Sequence, residues 1–262
     1  MKITLFTSNK TRHNYLINLL SKFCDELFVV QECGTIFSGI VPDHYPASIT
    51  MKDYFTEVYN AEKKLFGNGY IKNFLKKINI LPILSGDLNK CSLSFLSNFL
   101  KSDIYIVFGS SYIKGDLINF LVQKKTINIH MGVSPFYRGT DCNFWALYDN
   151  NPHLVGATIH MLSKGLDSGP ILYHAMSKIK SNPFEYTMST VKSAFHSISE
   201  RIADSSILEI EPIAQNKSKQ IRYSKKDEFT ENIVKEFQNK KINLNSTTFD
   251  DELLKDVYFL DS

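Results

Sequence analysis

The sequence predicts an α/β fold: a Rossmann-like, mostly parallel sheet with helices on both faces, plus a short C-terminal extension. Two observations carry this. The chain opens with an apolar run of strand length, Lys2 to Thr7, then a polar Ser8-Asn9 turn. An amphipathic stretch with Tyr15, Leu16, Leu19, Leu20 and Phe23 at helical spacing follows. Further on, Asp103 to Phe108 (DIYIVF) is a continuous apolar run, the pattern of a strand covered on both faces. The turn after the first strand lacks the G-x-G-x-x-G spacing of a dinucleotide site, which removes most support for a dehydrogenase.

The elements follow in order. Leu27 to Val30 reads as a second strand, and Gln31 to Thr50, with Gly34, Gly39, Pro42 and Pro46, as a long irregular connection. Met51, Tyr54, Phe55, Val58, Leu65 and Phe66 mark a helix whose aromatic stripe is core packing, and a second helical piece reaches Asn79. Leu81 to Asn89 is a short strand with a polar turn, and Leu93 to Leu100 reads as a helix. Thr126 to His130 and Leu154 to Leu162 read as strands flanking a helix around Trp145, and Tyr173 to Met176 continues a strand. Asn182-Pro183 opens a helix reaching about Asp204, with proline in the early position that helices favour. Beyond Glu211 the chain turns polar and lysine-rich. The division is therefore 1–210 as a catalytic domain and 211–262 as a small extension with short helices.

Composition narrows the function. A chain of 262 residues, 43% hydrophobic, is long enough for one substantial core. Thirty basic against 27 acidic residues leave a net charge of +3, which does not itself argue for nucleic acid. Cys24, Cys33, Cys91 and Cys142 show no C-x-x-C spacing, as expected for free thiols in a reducing cytoplasm. The apolar run in MKITLFTSNK is too short for a signal peptide and no run approaches a membrane span, so a cytoplasmic location is expected.

The chemistry concentrates between Thr126 and Leu172. Side chains two apart on a strand share a face, so Asn128 and His130 point the same way while Ile127 and Ile129 enter packing. Gly132 and Pro135 follow, placing the polar pair at a strand's carboxyl end, where open α/β sheets bind ligands. Asp167, in the loop after the next strand, can return to the same rim. An amide donor, an imidazole and a carboxylate on one spot form an acyl-transfer set. Taken alone, an Asn-x-His pair also suits a satisfied polar pair at a strand end.

The wider pattern bears on that choice. Asn128-x-His130, Pro135, Tyr137-Arg138-Gly139, a Trp-Ala-Leu helix, Gly156-x-Thr158-x-His160 and Gly165-Leu166-Asp167-Ser168-Gly169 stand in order. This resembles the 10-formyltetrahydrofolate-dependent formyltransferases, over about 45 residues with spacing intact. One departure stands out: Gly132-Val133-Ser134 replaces the Ser-Leu-Leu of the transfer-RNA enzymes.

The resemblance implies formyl transfer from 10-formyltetrahydrofolate to a primary amine through a tetrahedral intermediate. Asn128 would steady the oxyanion, His130 move the proton and Asp167 orient the imidazole; no metal is required. It makes Tyr112, Ile113 and Lys114 one wall for the folate, and Leu162, Ser163 and Lys164 the other. Ser8, Asn9 and Arg12 become candidates for an anionic handle on the acceptor, the alternative being a helix cap and a solvated arginine. Asp87 and Asn89, at another strand end, can reach the acceptor or simply form a Gly-Asp turn. His160 belongs to the motif but reads as strand-end packing; His13, His44, His153, His174 and His196 receive no role.

Among acceptors, the extension is too short and too helical in pattern for the β-barrel domain of the transfer-RNA enzymes. The purine-pathway enzyme usually lacks such an extension, and a formyl-folate hydrolase would carry a regulatory domain before the first strand. The resemblance thus favours the sugar N-formyltransferases, often dimers, acting on a nucleotide-linked amino sugar for a bacterial surface glycan. Methionyl-tRNA, glycinamide ribonucleotide, and a non-catalytic folate-binding module are the alternatives.

Overall fold

The computed structural model describes residues 1–35, 40–42, 45–72, 77–244 and 254–260. In chain order the elements are β1 (Lys2–Ser8), α1 (Thr11–Leu20), β2 (Glu26–Cys33), α2 (Ile49–Phe66), β3 (Ile78–Leu84), β4 (Ile104–Phe108), α3 (Gly115–Gln123) and β5 (Ile127–His130). Then come β6 (Tyr137–Gly139), α4 (Cys142–Tyr148), β7 (Ala157–Met161), β8 (Ile171–Ser177), α5 (Pro183–Ala203), β9 (Arg222–Ser224), α6 (Glu231–Asn239) and β10 (Tyr258–Leu260).

Eight strands form one sheet in the order β10-β8-β7-β5-β4-β1-β2-β3, and β6 pairs with β9 apart from it. Only β7 runs against its neighbours, antiparallel to β5 and β8. The chain moves outward from β1 through β2 and β3, then returns to the other side of β1 as β4 and β5. At such a reversal, open α/β sheets hold their ligands at the strands' carboxyl ends.

Strand alternation builds both faces. Ile3, Leu5, Ile104, Ile106 and Phe108 pack under α1, α2 and α5. Phe6, Tyr105 and Val107 pack under α3 with Leu117, Ile118 and Leu121. A third, aromatic cluster joins Tyr54 of α2, Phe144 and Trp145 of α4, and Phe229 and Phe237 from the chain beyond residue 211. Helix α5 begins as its sequence suggests, with the Asn182 side chain accepting from the amides of Phe184 and Glu185 at 2.9 and 3.0 Å.

Several expected elements differ. Leu93 to Leu100 is not a helix; only Ser97–Phe99 makes a 3-10 turn. Serines compete for its backbone, the Ser92 hydroxyl accepting from Phe95 N at 3.1 Å. Ile78 and Asn79 are not the end of a helical piece. They pair with Leu27 and Phe28 in β3, while residues 73–76 of that piece lie outside the described residues. Leu154 ends a 3-10 turn (Pro152–Leu154) before β7 begins. The irregular connection is shorter than expected: Gln31 to Cys33 extend β2, and α2 begins at Ile49. Gly39 and His44 lie outside the described residues. The chain after Glu211 contributes strands as well as a helix, with β10 extending the main sheet beside β8.

Candidate active site

Strands β5 and β7 build the centre by cross-strand register. Asn128 lies opposite His160, and His130 opposite Thr158. The Asn128 amide Nδ2 donates to His160 Nε2 at 2.9 Å, and His160 Nδ1 donates to its neighbour Met161's carbonyl at 2.8 Å. Nε2 is thus the acceptor nitrogen of a neutral ring. Burial pushes the His160 pKa down to about 4, so the ring stays uncharged at neutral pH.

His130 stands between two acceptors. Its Nδ1 is 3.3 Å from Asp167 Oδ1, and its Nε2 is 3.2 Å from the Tyr137 carbonyl. Both His130 and Asp167 are nearly buried, so the carboxylate faces the imidazole rather than open water. Both ring nitrogens therefore face acceptor oxygens, and Nε2 would have to release the Tyr137 carbonyl before it could take a proton from anything else. Asp167 Oδ1 also lies 4.0 Å from His160 Nε2, near enough for its charge to be felt but without a hydrogen bond, since that nitrogen carries no hydrogen.

The Asp167 loop is fastened from several directions. Asp167 adopts a left-handed φ of 45°. Arg138 donates from Nε to its carbonyl at 3.1 Å and from Nη2 to the Leu166 carbonyl at 2.8 Å. Gln215 Nε2 donates to the carbonyls of Asp167 and Gly169, each at 2.8 Å, and Gly139 N donates to Asp167 Oδ2 at 3.3 Å. A Cβ on Gly169 would fall 1.7 Å from the Met161 carbonyl oxygen, so only glycine lets the loop close on β7. Gly132 is likewise enclosed. A Cβ there would meet Cys142 Cβ at 2.5 Å and His130 Nε2 at 2.6 Å, so the buried thiol side chain occupies the space a serine would need.

The folate-wall candidates meet one another. The half-exposed Tyr112 donates its hydroxyl to the Lys164 carbonyl at 2.6 Å, bridging the two turns. Ser163 lies 2.8 Å from Ser168, hydroxyl to hydroxyl, on the Asp167 loop. Leu162 packs against the α3 face, and Ile113 is buried there, so Ile113 offers a cleft its backbone rather than its side chain. The Lys114 ammonium lies 5.6 Å from the Tyr112 ring.

The five acceptor-side candidates are largely consumed by the protein. Neither Ser8 nor Asn9 caps α1, whose N-cap is Lys10 with no side-chain bond. The Ser8 carbonyl accepts from Gln31 at 3.1 Å. Asn9 exchanges hydrogen bonds with Gly34, Nδ2 to the carbonyl at 3.0 Å and Oδ1 from the amide at 3.1 Å. Arg12 is not solvated: Nη1 bonds buried Glu62 at 3.0 Å and its amide donates to the same carboxylate at 2.8 Å. Asp87 pairs with Lys90 at 2.7 Å. Asn89 braces the folate-side turn, donating to the Tyr112 carbonyl at 2.8 Å and accepting from Lys114 N at 2.7 Å.

The sequence reads His160 as strand-end packing, whereas the structure sets it against the Asn128 amide, and it gives Arg138 and Gln215 no role of their own. His160 was visible through its motif, and Arg138 through Tyr-Arg-Gly, but Gln215 arrives from the far segment with no local signal.

An amide, two imidazoles and a carboxylate thus meet on the rim of an open α/β sheet, with the buried Cys142 side chain close by behind Gly132. Residues 100–207 match the model of the formyl transferase family. Methionyl-tRNA formyltransferase of Prochlorococcus marinus is 26% identical over 153 residues, covering 58% of this chain and 44% of that protein. The chain thus spans less than half the length of the curated relatives it matches. Two solved structures share the fold. A 4-N formyltransferase from Francisella tularensis has a TM-score of 0.52 and 21% identity, over 86% of this chain and 76% of that one. An N-formyltransferase from Helicobacter canadensis, in complex with folinic acid and dTDP-3-aminofucose, has a TM-score of 0.51 and 14% identity, over 97% and 79%.

Proposed function

We propose that this protein transfers a formyl group from 10-formyltetrahydrofolate to the primary amine of a nucleotide-linked amino sugar. The observation that carries the reading is the meeting of Asn128, His130 and Asp167 at one rim, inside the segment that matches the family. The Helicobacter neighbour, solved with a folinic acid and a nucleotide-linked amino sugar, supports the choice of donor and acceptor class.

When bound, the donor supplies the activated formyl carbonyl; the chain's own residues do the rest. Asn128 has one amide hydrogen committed to His160 and a second that can donate to the carbonyl oxygen as charge builds there. Neutral His160 fixes which way that amide faces. As the amine nitrogen bonds to the formyl carbon, His130 gives up the Tyr137 carbonyl and takes the amine proton at Nε2. It passes that proton to the donor nitrogen as that nitrogen's bond to the carbon breaks, while Asp167 holds Nδ1 and stabilises the charged ring. The turns at 112–114 and 162–164 flank the cleft and fit a flat ring system chiefly through backbone groups. In this reading 1–210 is the catalytic part, and 211–262 an extension whose Gln215 fastens the Asp167 loop.

The test is incubation with formyl-folate and a panel of nucleotide-linked amino sugars, following folate release and the mass of the product. Turnover with at least one sugar is expected. Folate binding without turnover on any amine would replace the proposal with a binding module. The match to a methionyl-tRNA enzyme motivates a second reading. It predicts formylation of charged transfer RNA that weakens steeply with salt, whereas a small nucleotide sugar responds weakly.

A further inference from the structure

Asp141 breaks three local rules at once, two residues after the Gly139 amide that donates to Asp167. Its backbone is left-handed, with φ 56° and ψ 30°, which a β-carbon makes unfavourable. It sits at the N-cap position of α4, yet its side chain makes no cap bond. Its carboxylate also makes no ion pair among the described residues; Oδ2 instead accepts the Tyr45 hydroxyl at 2.7 Å. Such departures persist where function, rather than stability, selects the residue.

The surroundings suggest what it selects. Asp141 is exposed to solvent on one side, while the protein packed on the other desolvates its carboxyl and raises its pKa. Buried Tyr54 lies close enough for the Asp141 charge to raise its pKa further. The Tyr45 and Tyr54 rings stand 5.0 and 5.4 Å from Phe229, forming an apolar wall beside the carboxylate. The cations that Asp141 feels are Lys226 and Arg12, and Arg12 is already held by Glu62. Two steps of about 3.8 Å keep its Cα within about 8 Å of Gly139. A carboxylate next to aromatic rings is the usual chemistry for gripping a ring that bears hydroxyl or amino donors, and it repels phosphate.

We propose that Asp141, anchored by Tyr45, is an acceptor-specificity residue. Its carboxylate accepts hydrogen bonds from a hydroxyl or amino group of the sugar ring near the amine that is formylated. The inference rests on the proposed function and deepens it. Its test is Asp141→Asn, since asparagine also tolerates the left-handed backbone. Losing a charge-assisted acceptor should raise the acceptor KM about tenfold or more, with the donor KM little changed. Tyr45→Phe should raise it less. An acceptor analogue lacking the recognised donor group should bind both proteins alike. An unchanged acceptor KM in Asp141→Asn, or an equal rise in the donor KM, overturns the inference. Equilibrium binding of the nucleotide sugars to parent and variant without donor keeps the question separate from turnover. If the parent formylates nothing, the proposed function fails, while tighter sugar binding by parent than by Asp141→Asn still upholds the recognition; equal binding sinks it.

Discussion

Two rims of the same sheet carry similar polar residues and use them differently. Around Ser8, Asn9, Arg12, Asp87 and Asn89 the side chains spend their hydrogen bonds on the protein: Asn9 on Gly34, Arg12 on Glu62, Asn89 on the turn at Tyr112 and Lys114. Around Asn128, His130 and Asp167 the same kinds of groups face one another. They are held mainly by backbone carbonyls, by neutral His160 and by outer residues such as Arg138 and Gln215. The first arrangement ties loops together. The second leaves one amide hydrogen of Asn128 uncommitted beside the His130 imidazole and the Asp167 carboxylate. Residue type alone does not separate the two; what separates them is whether the partners are already complete.

The comparison is broken most directly at Asn128. Asn128→Ala should lower turnover by about two to three orders of magnitude, the usual cost of an oxyanion donor, with a smaller loss of about 1 to 2 kcal/mol of stability because buried His160 Nε2 loses its donor. Steady-state kinetics beside thermal unfolding reads both. Arg12→Ala should show the reverse. Glu62 is only 5% exposed and would lose its cation. That loss should cost about 2 to 3 kcal/mol of unfolding free energy, allowing for the partly exposed guanidinium. Turnover should barely move. If Arg12→Ala instead abolished turnover in a folded protein, the acceptor-side rim would belong to the active site.

Acid sharpens the same contrast. His160 titrates at about 4 when folded against an ordinary 6.5, so the unfolded chain binds its proton first as pH falls. Its stabilisation is complete above about pH 6.5 and is lost as pH falls toward about 4, by up to about 3 kcal/mol. His13 and His174, also buried and lowered, add slopes of the same sign. Denaturant unfolding between pH 7 and 4 measures the slope, and His160→Gln should flatten part of it. Protonated His160 Nε2 can no longer accept from Asn128, so parent turnover should fall only as pH approaches about 4.

How much of this was legible in the sequence depends on the range over which each signal acts. Asn128 and His130 are two apart on one strand, and their shared face follows from the alternation of side chains. Asp167 follows from the short loop after β7. His160 needed the register of an antiparallel pair, and no single segment encodes strand direction. Gln215 reaches the Asp167 loop from 48 residues away, with nothing in its neighbours to mark it. The three-residue strands β9 and β10 are too short to show a period. At Ser92 to Ser97, apolar spacing suggested a helix, but serine hydroxyls competing for nearby amides decided otherwise.

Asn89 gives the smallest expected effect and the finest division between the rims. It holds the turn at residues 112–114, proposed above to flank the folate, with one bond to the Tyr112 carbonyl and one from Lys114 N. Asn89→Ala removes both, at about 1 to 2 kcal/mol of stability. Because the turn and not the reacting centre is loosened, the donor KM should rise severalfold while kcat holds. Asn89→Asp keeps the oxygen that accepts from Lys114 but cannot donate to Tyr112, so it should fall between parent and alanine in donor KM. A kcat loss in Asn89→Ala as deep as that of Asn128→Ala would mean that this brace acts on the chemical step, and the line drawn between the two rims would have to move.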